Sequence, residues 1–189
     1  MVRAYRDMET RLESAPEDFA PDVTTLRDGR TVTIRAIRPD DADAMRVAFD
    51  HLSAEARYSR FMSAVKLTPA MLERAVRPLG DRERALVAVL GEGASETIAG
   101  GARYVNGPND ETCEFAVTIT DGWRGAGLAS RMLRVLIEDA RTSGFKRMEG
   151  YVLATNKPML DLARRLGFEV GASEEGPSVK LVWLDLSTK

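Results

Sequence analysis

The sequence CEFAVTITDGWRGAGLASRML, residues 113–133, decides the fold. It begins as a strand that ends near Ile119 and continues through a short turn with Gly122, Gly125 and Gly127. Residues 126–143 then predict an amphipathic helix, because apolar residues recur at every third or fourth position. The apolar stripe consists of Leu128, Met132, Leu136 and Ala140, with Ala129 and Leu133 beside it.

This order of strand, glycine turn and helix predicts an anion site. Glycines allow positive φ and a close approach of the backbone to a ligand. The free N–H groups of the first helical turn point outward, and the helix dipole favours an anion by about 0.3–1 kcal/mol. Arg124 adds a permanent positive charge beside the turn. We therefore interpret the turn as a cradle for a diphosphate.

The flanking sequence predicts a mixed α/β fold. Three apolar runs separated by turn signals predict an antiparallel meander: ALVAVL at 85–90, TIAGGARYV at 97–105 and CEFAVTI at 113–119. After the helix come a strand at 147–153, a helix opened by Asn156 and ended by Gly167, and a last strand at 178–186. The expected architecture is a largely antiparallel central sheet flanked by helices, with a β-α-β core.

The N-terminal half adds a strand and three helices to this plan. TVTIRAI at 31–37 alternates like a strand, and helices are expected to open at Pro39, Ser53 and Thr68. Residues 1–24 read as an N-terminal arm and linker, with Tyr5, Met8 and Leu12 on one face of a short helix. A single domain is then expected over residues 25–189.

Composition limits the classes of partner. Lys and Arg total 27 and Asp and Glu total 29, so the formal charge is −2 and the whole chain has no drive toward nucleic acid or an anionic membrane. No apolar run approaches the ~20 residues of a membrane span. With Cys113 and His51 each the sole residue of its type, we expect no disulfide within the chain and no metal. The N-terminus lacks an apolar signal core, which favours the cytoplasm.

The glycine turn has two other interpretations. Gly125-Ala126-Gly127 begins like a dinucleotide-binding motif, and Glu149 lies where a ribose-binding acid would be. However, Ser130 replaces the third glycine, and the strand follows an antiparallel meander instead of opening a βαβ repeat. The other interpretation is a tight turn without a ligand.

The chain resembles the GNAT acetyltransferase superfamily over about residues 26–186. The family signature [QR]-x-x-G-x-[GA] fits Arg124-Gly125-Ala126-Gly127-Leu128-Ala129 in full, and Asn156 leads to Leu166-Gly167-Phe168 at the usual spacing. Two stretches, residues 34–63 and 156–169, resemble the branch that contains bacterial protein lysine acetyltransferases. In that branch the domain is often joined to a regulatory or synthetase-like region, and we expect neither within these 189 residues.

The resemblance implies an acyl-CoA site. Val117 and Ile119 would offer their backbone to the pantetheine arm, and the segment Arg124, Gly125, Ala126, Gly127, Leu128 and Ala129, with Ser130, would hold the pyrophosphate. Asn156 would lie beside the lower pantetheine arm or cap its helix; both interpretations stay open. Many members carry a tyrosine that protonates the departing thiolate, and here that position is Ala163. Tyr151 and Tyr104 are candidate substitutes, and neither is assigned.

Glu114 is the expected general base. A lysine-like amine has a pKa of ~10.4 and must lose a proton before it attacks. On a strand Glu114 shares a face with Ala116 and Thr118, and it lies roughly 15 Å upstream of the turn at ~3.3 Å per residue. Residues that match Glu114 act as the base in the resembling branch. Cys113 points to the opposite face and is expected in the core.

The sequence therefore predicts an N-acetyltransferase that transfers an acetyl group from acetyl-CoA to an amine, with a protein lysine favoured as acceptor. A small-amine acetyltransferase, acting on a polyamine, amino acid or antibiotic, is one alternative. A non-catalytic acyl-CoA-binding module is the other. We expect no nucleic-acid or membrane partner, and either a monomer or a homodimer.

Overall fold

The computed structural model describes residues 19–62, 66–78, 82–91 and 96–187. The predicted helix through Tyr5, Met8 and Leu12 lies outside these residues. In the described part, eight strands form one sheet in the order β1-β2-β3-β4-β5-β6-β8-β7. The strands are β1 (Asp22–Thr25), β2 (Thr31–Ala36), β3 (Arg84–Leu90), β4 (Thr97–Asn106), β5 (Thr112–Ile119), β6 (Arg147–Leu153), β7 (Glu169–Ala172) and β8 (Val179–Asp185).

Five α-helices accompany the sheet in those residues. They are α1 (Ala42–Asp50), α2 (Ala54–Phe61), α3 (Pro69–Val76), α4 (Leu128–Thr142) and α5 (Lys157–Arg165). The predicted caps are present, since the side chains of Ser53 and Thr68 accept hydrogen bonds from the backbone N–H groups of Ala56 and Met71. Because one sheet is combined with these helices, the fold class is the predicted mixed α/β arrangement. The meander of β3, β4 and β5 is antiparallel, as predicted.

The sheet is covered on both faces, which explains the uninterrupted apolar sequence of β3. Leu86 and Ala88 belong to the core that also contains α4, whereas Val87 and Val89 pack in a separate cluster with Met45 of α1. The predicted stripe of α4 is confirmed as its core-facing side, since Leu128, Met132, Leu133, Leu136 and Ala140 are all buried. The glycine turn is thus held at the end of a helix anchored across the sheet.

Two short strands were not predicted. β1 pairs with β2, and β7 pairs with β8. Each has four residues and lies at an edge of the sheet, where half-exposed side chains give a weak alternation signal. On α5, Leu160, Leu162 and Ala163 are buried, whereas Met159 and the C-cap residue Leu166 are only partly buried.

Candidate active site

The main cleft lies where two neighbouring strands stop pairing. The sheet's parallel contact joins β5 to β6 only over Thr112–Glu114 and Arg147–Glu149. Beyond this contact a cleft of about 770 Å³ is lined by residues 115–119 of β5 and residues 151–153 of β6. The glycine turn, the first turn of α4, the start of α5 and part of α2 complete its walls.

The backbone of β5 offers hydrogen-bonding groups to this cleft. The N–H of Thr120 donates to Ala99, the residue before the β4 segment paired with β5, and the carbonyl of Glu111 accepts from Lys146 just before β6. Because backbone groups alternate sides along a strand, odd-numbered residues of β5 face β6. The groups of Val117 and Ile119 therefore face the cleft, beyond the last residue paired with β6. A strand edge of this kind fits the two amide groups of a pantetheine arm.

The glycine turn closes one end of the cleft. Gly125 and Gly127 have φ values of +78° and +92°, a conformation that other residues adopt only with strain. Gly127 is the N-cap of α4, so the N–H groups of the first helical turn are available to an anion. Arg124 lines the cleft and is paired with Asp121 at 2.8 Å.

Nine of the ten predicted cofactor-binding residues line this single cleft: Val117, Ile119, Arg124, Gly125, Gly127, Leu128, Ala129, Ser130 and Asn156. The tenth, Ala126, is buried, and its carbonyl accepts a hydrogen bond from Arg27. Asn156 caps α5, because its side-chain oxygen accepts from the N–H of Met159 at 3.2 Å. Its amide NH₂ is not used in that cap, so the capping role and a contact to the arm are compatible.

Glu114 lies at the last paired residue before the strands separate, directly across from Glu149. It is half-buried, and it is not itself among the residues that line the cleft, although Ala116 and Thr118 on its own face are. Burial raises the pKa of Glu114, and the carboxylate of Glu149 acts in the same direction. A raised pKa makes the ionised carboxylate a stronger proton acceptor.

The two candidate tyrosines differ in their access to the cleft. Tyr104 is fully buried, and its hydroxyl donates to Asp139 at 2.7 Å and lies 3.0 Å from Ser143, so it has no access to the cleft. Tyr151 lines the cleft, and its pKa is raised by burial and then by the carboxylates of Glu149, Glu114, Glu175 and Glu174. Ala163, at the position of the family's tyrosine, is buried in the core. Of the three, only Tyr151 can reach a ligand in the cleft.

Cys113 is excluded as a nucleophile. Its side chain is fully buried on the opposite face of β5 from Glu114, and burial raises the pKa of its thiol to about 12. Among the described residues, no three His, Cys, Asp or Glu side chains come together as metal ligands would. Within the same residues, no helix combines the length and the apolar character that a membrane span needs.

Three arginines at the cleft were missed by sequence reasoning: Arg27, Arg60 and Arg165. They come from the β1–β2 hairpin, α2 and the end of α5, respectively. No sequence motif joins these segments to the glycine turn, and only the folding of the chain brings them together.

Comparison with known proteins identifies the family. The profile of the Acetyltransferase (GNAT) domain matches residues 31–169. The chain belongs to the GNAT family of acetyltransferases. It is accordingly an N-acetyltransferase that uses acetyl-CoA. This GNAT chain is 35% identical to Acetyltransferase PA5475 from Pseudomonas aeruginosa over 161 residues, which cover 85% of the chain and 86% of that relative.

A second curated relative is Acetyltransferase Pat from Mycolicibacterium smegmatis. It is 32% identical over 150 residues, which cover 79% of this GNAT chain but only 44% of Pat. Among solved structures, the GNAT domain of S. lividans PAT superposes with a TM-score of 0.78 at 24% identity, over 87% of this chain and 96% of that domain. At that identity the superposition shows a shared fold.

Proposed function

We propose that this acetyltransferase modifies lysine side chains of proteins, with Glu114 as the general base. The observation that carries the proposal is the position of Glu114, a half-buried carboxylate of raised pKa where β5 and β6 stop pairing. Acetyl-CoA supplies an activated acetyl thioester. Val117 and Ile119 hold its arm through their backbone, and Arg124 to Ser130 hold its diphosphate at the start of α4.

Proton transfer is the task of the chain in this proposal. The acceptor arrives as an ammonium group and must become neutral before its nitrogen lone pair can form the new C–N bond. Glu114 accepts the first proton, which the ammonium loses before attack. The C–N bond then forms as the C–S bond breaks with its electron pair on sulfur, and the second proton of the acetylated nitrogen passes to the thiolate, directly or through solvent. The four carboxylates around Tyr151 favour a cationic acceptor at this end of the cleft.

Two observations support a protein as the acceptor. Residues 34–63 and 156–169 resemble the branch of bacterial protein lysine acetyltransferases, and the similarity to Acetyltransferase Pat extends over 79% of this chain. In addition, the α2 side of the cleft is open, since Tyr58 lines the cleft and remains 52% exposed. A small amine is the second candidate, because L-methionine sulfoximine/L-methionine sulfone acetyltransferase from Pseudomonas aeruginosa shares 38% identity over 77 residues, 40% of this chain.

An acceptor competition tests the proposal. The protein is incubated with acetyl-CoA and a host lysate, and in parallel with free lysine, polyamines and L-methionine sulfone; products are identified by mass spectrometry. We expect acetyl-lysine on folded proteins and a lower kcat/KM for every free amine than for the best protein. A free amine used thousands of times more efficiently than any protein would contradict the protein acceptor. It would leave the acetyl-CoA-dependent activity in place.

A further inference from the structure

The hairpin between β1 and β2 packs against the glycine turn through several contacts. The N–H of Arg27 donates to the carbonyl of Ala126 at 3.1 Å, which anchors the hairpin to the turn. Arg30 donates to the carbonyl of Gly122 at 3.0 Å, and its guanidinium lies 3.7 Å above the ring of Trp123. The hairpin is therefore a fixed neighbour of the proposed diphosphate site.

The side chain of Arg27 reaches over the start of α4. Its Nε lies 3.6 Å, and its Cδ and Cγ lie 3.8 Å, from the point where a Cβ on Gly127 would be. The residue is exposed and lines the cleft beside Ser130. Because its backbone N–H is bonded to Ala126 and its side chain lies over Gly127, the guanidinium is within reach of a ligand at the first turn of α4.

The charge of the cleft favours an anion at this place. The arginines that line the cleft are Arg27, Arg124 and Arg165, with Arg60 toward Glu114, against one acid, Glu55, although the chain as a whole has a formal charge of −2. Arg124 is already paired with Asp121. No ion pair with Arg27 is found within the described residues, so its charge is available to a ligand.

We propose that Arg27 binds a phosphate of the nucleotide half of acetyl-CoA and sets the preference for the phosphorylated donor. This inference rests on acetyl-CoA as the acyl donor. A guanidinium can form two parallel hydrogen bonds to a phosphate, which an ammonium cannot match geometrically. The ligand carries two such groups, the diphosphate and the 3′-phosphate of its ribose, and the chemistry of Arg27 suits either.

Calorimetric titration distinguishes the two groups. Acetyl-CoA and acetyl-dephospho-CoA are titrated into the wild-type protein, Arg27→Gln and Arg27→Lys, with Arg134→Gln as control. Arg134 is exposed on α4, lies outside the cleft, and loses the same charge on substitution. We expect Arg27→Gln to weaken acetyl-CoA binding about tenfold, as for a lost hydrogen bond to a charged group. Lysine should restore part of the loss, and the control should bind like wild type.

The two donors together identify the phosphate that Arg27 contacts, because each phosphate predicts a different pattern of lost binding affinity in Arg27→Gln. A loss for both donors assigns Arg27 to the diphosphate, whereas a loss for acetyl-CoA alone assigns it to the 3′-phosphate. S-acetylpantetheine, which lacks all phosphates, separates binding from a structural role. We expect the ratio of kcat/KM for acetyl-CoA to that for S-acetylpantetheine to fall about tenfold in Arg27→Gln.

Two results would overturn the inference: unchanged affinity of Arg27→Gln for both nucleotide donors, or an equal loss of kcat/KM for acetyl-CoA and S-acetylpantetheine. Either leaves the acetyltransferase activity standing. Failure of the wild-type protein to bind acetyl-CoA would instead count against the activity itself.

Discussion

The raised pKa of Glu114 links its proposed role to the stability of the fold. Its carboxyl group is half-buried across from Glu149, and both burial and that neighbour raise its pKa. A raised pKa means that the ionised form is disfavoured in the folded protein. A carboxylate kept in such a place costs stability, as proton acceptors at active sites commonly do.

We expect Glu114→Gln to stabilise the protein at neutral pH. Between the ordinary carboxyl pKa and the raised pKa of Glu114, the folded state binds more protons than the unfolded state. The free energy of unfolding therefore falls as pH rises through that window. Glutamine mimics the protonated acid, so the variant lacks this fall and should equal wild type at pH values below the window.

Urea unfolding across a pH series measures this difference. Glu169→Gln, at an exposed glutamate on β7, is the matched control and should remain within about 0.5 kcal/mol of wild type. A Glu114→Gln variant that is less stable than wild type at neutral pH would show that the fold favours the ionised carboxylate, contrary to the raised pKa.

At the scale of elements, the start of α4 combines a glycine turn with an open first helical turn. Ser130 is the third residue of α4 and lines the cleft. Ser130 is a better position than Gly127 for a substitution that tests diphosphate binding. A side chain at position 127 would be forced into the glycine's φ of +92°, which strains the backbone. A charge can therefore be placed at the proposed diphosphate site without straining the backbone.

We expect Ser130→Glu to abolish acetyl-CoA binding without destabilising the protein. An acid in the first turn of a helix interacts favourably with the dipole by about 0.3–1 kcal/mol, so the Tm of the free protein should stay the same or rise. The same charge repels a diphosphate, so the increase in Tm with acetyl-CoA should disappear, whereas neutral Ser130→Gln should keep most of it. A full ligand-induced shift in Ser130→Glu would place the diphosphate elsewhere.

Sequence reasoning succeeded for the elements whose signal is local. The stripe of α4, the caps at Ser53 and Thr68 and the strand Arg147–Leu153 each depend on residues a few positions apart. β1 and β7 were missed because each is defined by the neighbour with which it pairs. The end of pairing after Glu114 is likewise a relation between distant strands. The cofactor-binding residues and Glu114 remain predictions that the variants above test.

The whole molecule explains why the cleft forms where it does. Among the residues that the structure describes, the sheet has one parallel pair, β5 with β6, because α4 carries the chain back across the sheet between them. That pair stays together for three residues and then separates, while helices close both faces. The free strand edge of β5 and the position of Glu114 both follow from this separation.

The most direct measurement is the pH dependence of kcat for wild type and Glu114→Gln, with saturating acetyl-CoA and the best lysine acceptor. A positioned base contributes about 10²–10⁴-fold, so kcat should fall at least a hundredfold. The Kd for acetyl-CoA should hardly change, and high pH should restore part of the rate because more of the amine is then neutral. A variant with near-normal kcat and an unchanged pH profile would contradict the account.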